Sequence, residues 1–380
     1  MALTSAVMKI NMAGLKHNLR HFLEHLKPNT KLMIMVKAFA YGTGIVPIAQ
    51  WAKDTGFVDY LGVAYASEGV ELRRAAHISL PIMVMVVNES EFGICRQFNL
   101  EPVIYSMYIF DKFLEFLKQI EDQEGIIQFP DVHIKLDTGL HRLGISLNQL
   151  PSMINKLIAN SHRIHVKSLY SHFIGSYCPE LDVITQNQAD LFISNAQAIE
   201  KALGYSVIKH LCNSCGIIRH PNLHLDMVRL GAGLYGIWPT EPKIKFQKVV
   251  ASLFVPIVRL ESVCENETVG YIQQRLNRSS LIGVISIGYA DGLRRRLNHG
   301  EGRAWICGHR VPILSISMDM TMIDLTDVDG QVKVNDQVEI FGEHIPIEEM
   351  AQWCGIVSHE LLVGLGQRIR RIYVTENDEN

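Results

Sequence analysis

The sequence predicts an α/β chain in two parts: an N-terminal (β/α)8 barrel over residues 1–240 and a mostly β domain over 241–380, with the first few residues able to pair with the second part. Three observations carry that expectation. Short apolar runs alternate with amphipathic helical stretches over roughly the first 230 residues, which is the signature of a parallel sheet. Near Trp238 the alternation stops, and β-rich runs separated by turn residues take over. At 380 residues and 48% hydrophobic content, the chain is long enough to bury one large core and a second, smaller one. Periodicity by itself leaves an open doubly wound sheet available, although a closed barrel is the commoner answer at this length.

Taken in order, Asn11 is placed to cap a helix whose Leu15, Leu19, Phe22, Leu23 and Leu26 share one side, and Pro28 follows its end. His17, His21 and His25 line the other side; with no carboxylate or cysteine joining them, they read as a solvated face rather than a metal site. Residues 31–36 read as a short buried strand. Lys37 follows directly, before Gly42 lets the backbone turn, so its amine points into a pocket, an expensive place for an ammonium. One use that justifies the cost is a Schiff base with pyridoxal 5′-phosphate, for which the amine must be uncharged; the plain alternative is a lysine snorkelling to water.

Further strands are expected at 60–64, 81–87, 132–136, 164–173, 206–211 and 226–228, with helices at 45–52, 67–76, 110–120, 150–159 and 189–203 between them. In the second part the β-rich runs are 249–263, 280–289, 304–325, 337–341 and 367–374, interrupted by one helix at 347–353. The acidic tail 376–380 is expected to be disordered.

Composition removes several function classes. The balance of 36 Lys+Arg against 39 Asp+Glu leaves a net charge of −3 with no dense basic block, which argues against nucleic acid as a partner. No charged segment leads into a long apolar run at the N-terminus and no stretch approaches a membrane span, so the expectation is a soluble, cytoplasmic protein with no membrane partner. Seven scattered cysteines suit reduced thiols, and Cys212 and Cys215 read as buried thiols because no second pair completes a zinc site. No metal is expected.

Val36-Lys-Ala-Phe-Ala-Tyr-Gly42 resembles the cofactor-lysine motif V-K-A-N-A-Y-G of the bacterial alanine racemases, pyridoxal-phosphate enzymes of the barrel-type fold III class. Further motifs follow in that family's order and together cover nearly the whole chain. Lys135-Leu-Asp-Thr-Gly-Leu-His-Arg-Leu-Gly144 resembles K-x-D-T-G-M-x-R-L-G, and His210-Leu-Cys-Asn-Ser214 resembles H-x-x-N-S. Val228 to Gly236 resembles R-x-G-x-x-x-Y-G, and Val269-Gly-Tyr271, Gly288-Tyr-Ala-Asp-Gly292 and Ser317-Met-Asp319 resemble segments of the family's second domain.

The resemblance implies the following assignments. Lys37 holds the cofactor and is one catalytic base, and Tyr271, contributed by the partner subunit of a head-to-tail homodimer, is the other. Inverting a Cα needs a proton removed on one face and delivered on the other, which is why two bases are required. Tyr41 and Ser214 hold the cofactor phosphate with the main-chain N–H groups of Gly231 and Ala232, and Arg229 faces the pyridine nitrogen. An arginine there does not give up its proton, so the ring stays neutral and side reactions are limited.

Arg142 and the Met318 amide orient the substrate carboxylate, and Tyr289 stands at the substrate entrance. Lys135, often carbamylated in the family, holds Arg142, while Asp319, His210 and the cofactor-side His172 support the site. Arg142 and His172 are expected to help Tyr271 lose its proton. A structural pairing of Arg142 with Asp137, and core roles for His172 and His210, remain open from the residues alone. Phe39, Thr43 and Ser315 depart from the family pattern, and Leu140-His141 replaces the usual Met-x; none of these positions carries a proton transfer.

The function implied is interconversion of L- and D-alanine, supplying D-alanine for peptidoglycan. The alternatives are a serine or broad-specificity racemase, since one methylene is worth only about 1–3 kcal/mol, and a non-catalytic pyridoxal-phosphate-binding protein. Such carriers resemble the barrel alone, and the second domain with Tyr271 speaks against that reading.

Overall fold

The computed structural model describes residues 5–125, 129–238 and 247–375; the expected boundary at 240/241 and the acidic tail lie outside the described residues. Two compact units emerge. One holds residues 20–40 and 44–233, and the other gathers the N-terminal strand, residues 41–43 and what is described from Leu234 onward.

Strand β1 (Val7–Asn11) belongs to the second unit and leads into the helix Met12–Glu24, where Asn11 Oδ1 accepts from the Gly14 N–H at 2.7 Å. The first unit then carries β2 (Lys31–Met35), β3 (Tyr60–Val63), β4 (Ile82–Val84), β5 (Glu101–Ile104), β6 (Val132–Asp137), β7 (Ile145–Ser146), β8 (Val166–Tyr170), β9 (Ile208–His210) and β10 (Met227–Leu230). Strands β2 to β6, β8, β9 and β10 run parallel in that spatial order, with β10 beside β2 and the short β7 extending β6. Backbone bonds from Asp226 N to Lys209 O at 3.0 Å and from Arg229 N to Cys212 O at 2.9 Å link the segments around β10 and β9, closing the ring. It is an eight-stranded barrel with helices between its strands.

Those helices are Ile45–Asp54, Ala66–Ala75, Met107–Glu124, Leu150–Ala159 and Asp182–Leu203, with shorter ones at Phe92–Gln97 and Ser214–Arg219. The sequence reading lacked β5. Its first two residues are a glutamate and a proline, a pair that reads as a turn or a sheet edge. The barrel interior is unusually polar on one side. Alternation along β6 puts His133 and Lys135 on one face, β8 adds Ser168 and Tyr170, and His210 and Arg229 follow on β9 and β10; all six are buried.

The second unit holds β11 (Ala251–Val263), β12 (Thr268–Val269), β13 (Gln274–Arg275), β14 (Ser280–Ile285), β15 (Arg303–Ile306), β16 (His309–Ile316), β17 (Thr321–Asp324), β18 (Gln337–Phe341) and β19 (Arg370–Val374). The long β11 pairs with both β14 and β18, so the path through β14, β17, β16, β15 and β18 returns to it as a closed barrel. Strand β1 lies between β11, antiparallel, and β19, parallel.

The run expected at 304–325 resolves into three strands. Its first turn is Cys307-Gly308, with φ of 49° and 80°, the paired positive values of a tight hairpin. Helices Ile347–Cys354 and Ser358–Val363 complete the unit. Among the described residues no helix is long and apolar enough to cross a membrane.

Candidate active site

The residues singled out in the first unit lie in the C-terminal halves of β6, β9 and β10 or just after the ends of β2, β6, β8, β9 and β10, the face on which barrels carry their chemistry. The turn after Lys37 begins earlier than Gly42. Ala38, Phe39, Ala40 and Tyr41 all adopt left-handed conformations, with φ of 53°, 57°, 51° and 54°. Each such residue costs about 1–2 kcal/mol, so neighbours must hold the segment. Glu68 does so: Oε1 accepts from Ala38 N at 2.6 Å, while Oε2 accepts from Ala64 N and Tyr65 N at the start of Ala66–Ala75. Gly44 N also donates to Phe39 O at 2.9 Å.

Phenylalanine suits a left-handed position less well than the asparagine expected from the motif. Phe39→Asn is therefore expected to stabilise the protein by about 1 kcal/mol, read as a raised denaturant midpoint at unchanged slope. At the end of the turn Tyr41 stacks on Tyr235, ring centroids 4.7 Å apart, and burial pushes its hydroxyl up to about 12. Gly42, at φ 83°, approaches so closely that a Cβ would lie 2.3 Å from Leu362 O. Only glycine fits there.

Lys37, Lys135 and Arg229, with Arg142 on the exposed loop after β6, stand within electrostatic reach of one another. Burial, then the charges of Arg142 and Arg229, hold the Lys37 amine below the ordinary lysine range, against a smaller opposing pull from Glu68. Burial and the same two arginines lower Lys135 to about 8, and its Nζ sits 5.8 Å from the centre of the Tyr170 ring. Among the described residues no carboxylate pairs with Lys37, Lys135, Arg142 or Arg229. Asp137, the structural partner considered for Arg142, is taken instead by Gly139 N, His141 N and His141 Nδ1.

Arg229 is held by five bonds. Nη1 donates to His210 Nδ1 at 2.7 Å and His210 O at 3.2 Å; Nη2 donates to Ser171 O, Leu211 O and His172 Nδ1 at 2.8, 2.9 and 3.3 Å. Burial lowers its pKa to about 10, so it is still a cation at neutral pH. His172 and His210 both lie well below the usual histidine range, through burial first and the charge of Arg229 second, and are neutral. The two histidines left open by the sequence are thus supports of Arg229, and Tyr170 stacks on His210 at 5.0 Å.

Ser214 is buried at the start of Ser214–Arg219, which Asn213 caps through Gly216 N at 3.0 Å. Its Oγ accepts from Gly231 N at 3.0 Å and Gly233 N at 3.2 Å, which leaves its own hydrogen to donate outward. The Gly231 N–H, expected to face a phosphate, is therefore engaged within the protein, while among the described residues the Ala232 N–H has no bonded acceptor. The same holds for Arg229 Nε–H. An amine without a counterion, an outward hydroxyl, a free amide and a free guanidinium N–H fit a phosphorylated pyridine aldehyde. Cys212 and Cys215 are buried free thiols, both raised to about 12 by burial.

In the second unit Tyr271 stands at the tip of the β12–β13 hairpin and is 87% exposed. The hairpin base is fixed by Val269 and Leu276 packing with Ile282 and Leu314. Gly270, at φ 71°, lies so close to Ser315 that a Cβ would come within 2.2 Å of its Oγ. The loops of Tyr289 and Met318 are laced together: Tyr289 N donates to Ser317 O and Ala290 N to Met318 O, both at 3.0 Å. Arg368 clamps them, bonding Asp291 and Asp319 at 2.9 Å each. Among the described residues the Met318 N–H has no bonded acceptor.

Sequence reasoning missed Glu68, the clamp Arg368, and the polar line Glu101, His133 and Ser168. The signal for that line was present as polar residues recurring inside otherwise apolar strands.

The family model described as alanine racemase, N-terminal domain, matches residues 10–239, and that described as alanine racemase, C-terminal domain, matches residues 250–373. The alanine racemase of Thermodesulfovibrio yellowstonii is 36% identical over 98% of this chain and 98% of its own. That of Methanococcus maripaludis is 33% identical over 96% and 98%. Among solved structures, the alanine racemase of Clostridium difficile 630 superposes with a TM-score of 0.89 at 27% identity, covering 100% of this chain and 97% of its own. The alanine racemase of Bartonella henselae with covalently bound pyridoxal phosphate gives 0.84 at 26% identity, covering 98% and 100%.

Proposed function

The chain belongs to the alanine racemase family, and on that premise we propose that it interconverts L- and D-alanine, with Lys37 serving one face of Cα and Tyr271 of the partner subunit the other. The cofactor is pyridoxal 5′-phosphate, which when bound withdraws electrons from Cα and loosens its proton. The observation that carries the reading is the set of four interacting cations, Lys37, Lys135, Arg142 and Arg229, without a carboxylate partner among the described residues. A site that brings a phosphate and a substrate carboxylate together needs such uncompensated positive charge.

Each residue has a distinct task. Lys37, buried beside two arginines, gives up its proton readily and so can hold the aldehyde carbon and then take a proton from Cα. Ser214, Tyr41 and the Ala232 amide would hold the phosphate, Ser214 through its hydroxyl hydrogen. Arg229, held by five bonds, would offer its Nε–H to the ring nitrogen and disfavour a proton there. Arg142 would fork onto the substrate carboxylate, and the Met318 N–H would meet the same group. The 87% exposure of Tyr271 supports a use outside its own protomer, as a head-to-tail dimer provides. The D-alanine made supplies peptidoglycan.

Lys135 has a second consequence. With its pKa near 8, a fraction of the amine is neutral at neutral pH and open to carbon dioxide, and the carbamate would place a negative charge beside Arg142. Carbon-13 bicarbonate is expected to give a carbamate signal that grows as pH rises from 7 to about 8, because only the unprotonated amine reacts. Lys135→Ala should lack that signal.

The proposed activity is tested by offering L-alanine and L-serine separately to purified protein with cofactor in deuterated water. Optical rotation with alanine should decay to zero as deuterium enters Cα, and serine should react about 10–200-fold more slowly. Equal rates would establish the broad-specificity alternative. Neither exchange nor rotation change with any amino acid would leave only a cofactor carrier.

A further inference from the structure

Five side chains on five neighbouring strands form one continuous hydrogen-bonded chain through the barrel interior, and its far half has no place in the reading above. Glu101 on β5 meets His133 on β6, Oε2 to Nε2, at 2.9 Å. His133 Nδ1 meets Ser168 Oγ on β8 at 2.6 Å, Ser168 Oγ meets His210 Nε2 on β9 at 3.0 Å, and His210 Nδ1 meets Arg229 Nη1 on β10 at 2.7 Å. His133, Ser168, His210 and Arg229 are all buried, and the Glu101 side chain is 13% exposed.

With one ring proton on each histidine, the two ends set a single direction for the bonds between them. A guanidinium only donates, so His210 Nδ1 accepts and, being neutral, carries its proton on Nε2. Nε2–H then donates to Ser168, whose hydroxyl donates to His133 Nδ1, and His133 Nε2–H donates to the carboxylate. All four dipoles align, with the acceptor end toward Arg229 and the negative charge at the far end. Such chains strengthen each member bond. Arg229 has no carboxylate of its own among the described residues, and the chain supplies one at a distance.

We propose that Glu101 is a positioning residue for Arg229, acting across the barrel to set the direction of this chain and draw the guanidinium onto His210. The consequence for catalysis rests on the racemase reading, because only there does Arg229 face the ring nitrogen. A glutamine in place of Glu101 removes the charge and can donate as well as accept, so His133 no longer has a single tautomer. The neighbours of Glu101 include Tyr60 and the cations Arg73 and Lys167, each of which responds to its charge.

The test uses the holoenzyme with nitrogen-15 histidine, comparing wild type, Glu101→Gln and Glu101→Asp by proton–nitrogen NMR and by cofactor absorption. Wild type should show Nε2–H tautomers at both His133 and His210, with downfield, slowly exchanging protons. In Glu101→Gln, His133 should become a mixture, the His210 Nε2–H signal should move upfield, and the cofactor band should shift. Its kcat should fall about tenfold with KM nearly unchanged, the lower end of what losing a histidine-orienting partner costs at metal sites. Glu101→Asp should restore these signals in part.

An unchanged His210 signal and cofactor band in Glu101→Gln would overturn the proposal, even with reduced stability. Should that variant fail to fold, Ser168→Ala breaks the chain at its middle, and an unchanged cofactor band and kcat there would overturn it equally. If wild type racemises nothing, the proposed function fails, and the NMR signals still decide the chain.

Discussion

Replacing Tyr271 by phenylalanine is expected to lower alanine racemisation about 10²–10⁴-fold, the usual worth of a positioned acid–base group. The hydroxyl is the only atom lost, and the ring sits on an exposed hairpin tip that packs no core, so thermal stability should be unchanged. Inversion needs both faces. With one base gone, Lys37 can still exchange the α-proton of one enantiomer without inverting it. Deuterium uptake should therefore persist for one enantiomer and vanish for the other, while optical rotation stays constant. Equal loss of exchange from both enantiomers would point to a single-base mechanism.

The second large effect belongs to Lys37. Lys37→Ala should abolish turnover, by at least about 10⁴-fold, because in the proposed mechanism one residue provides both the covalent hold and a base. The cofactor should also wash out on desalting, whereas wild type retains it. The pH dependence of cofactor attachment to cofactor-free protein gives the sign independently. Burial and two neighbouring arginines disfavour the ammonium, so the folded protein releases this proton at lower pH than an ordinary lysine. Attachment should rise with pH and level off below the ordinary lysine pKa of 10.5. A plateau reached only at or above that value would contradict the environment described for Lys37.

The same displacement bears on stability. Between the lowered pKa of a buried lysine and its ordinary value, the unfolded chain binds the extra proton, so stability rises with pH across that window. For Lys135 the window runs from about 8 to 10.5.

Much of this architecture is legible in the residues. The alternation before Trp238 specifies the barrel strands because parallel strands, buried on both faces, read as short apolar runs. Strand β5 escapes because Glu101 and Pro102 open it, and the glutamate is there for the interior chain rather than for packing. The left-handed turn after Lys37 is equally hidden. Nothing in Ala-Phe-Ala announces positive φ, and the conformation is imposed by Glu68, some thirty residues away, at a site where local preference gives way to function.

Motifs located the cations but not their lack of counterions. Arg142 beside Asp137 in the sequence suggested an ion pair, and only the folded loop shows the carboxylate satisfied by two backbone amides and His141. The engagement of Gly231 N–H by Ser214 is also a tertiary fact, since it depends on β10 lying next to the loop after β9.

The most direct test of two bases drawn from two subunits is complementation. Lys37→Ala and Tyr271→Phe proteins, each inactive, are unfolded, mixed in equal amounts and refolded together with cofactor. In a mixed dimer one of the two sites combines Lys37 from one protomer with Tyr271 from the other and is wild type. The mixture is expected to regain about a quarter of wild-type activity, since half the dimers are mixed and each carries one intact site. If both bases came from the same protomer, no site would be whole, and the mixture would stay as inactive as its parents.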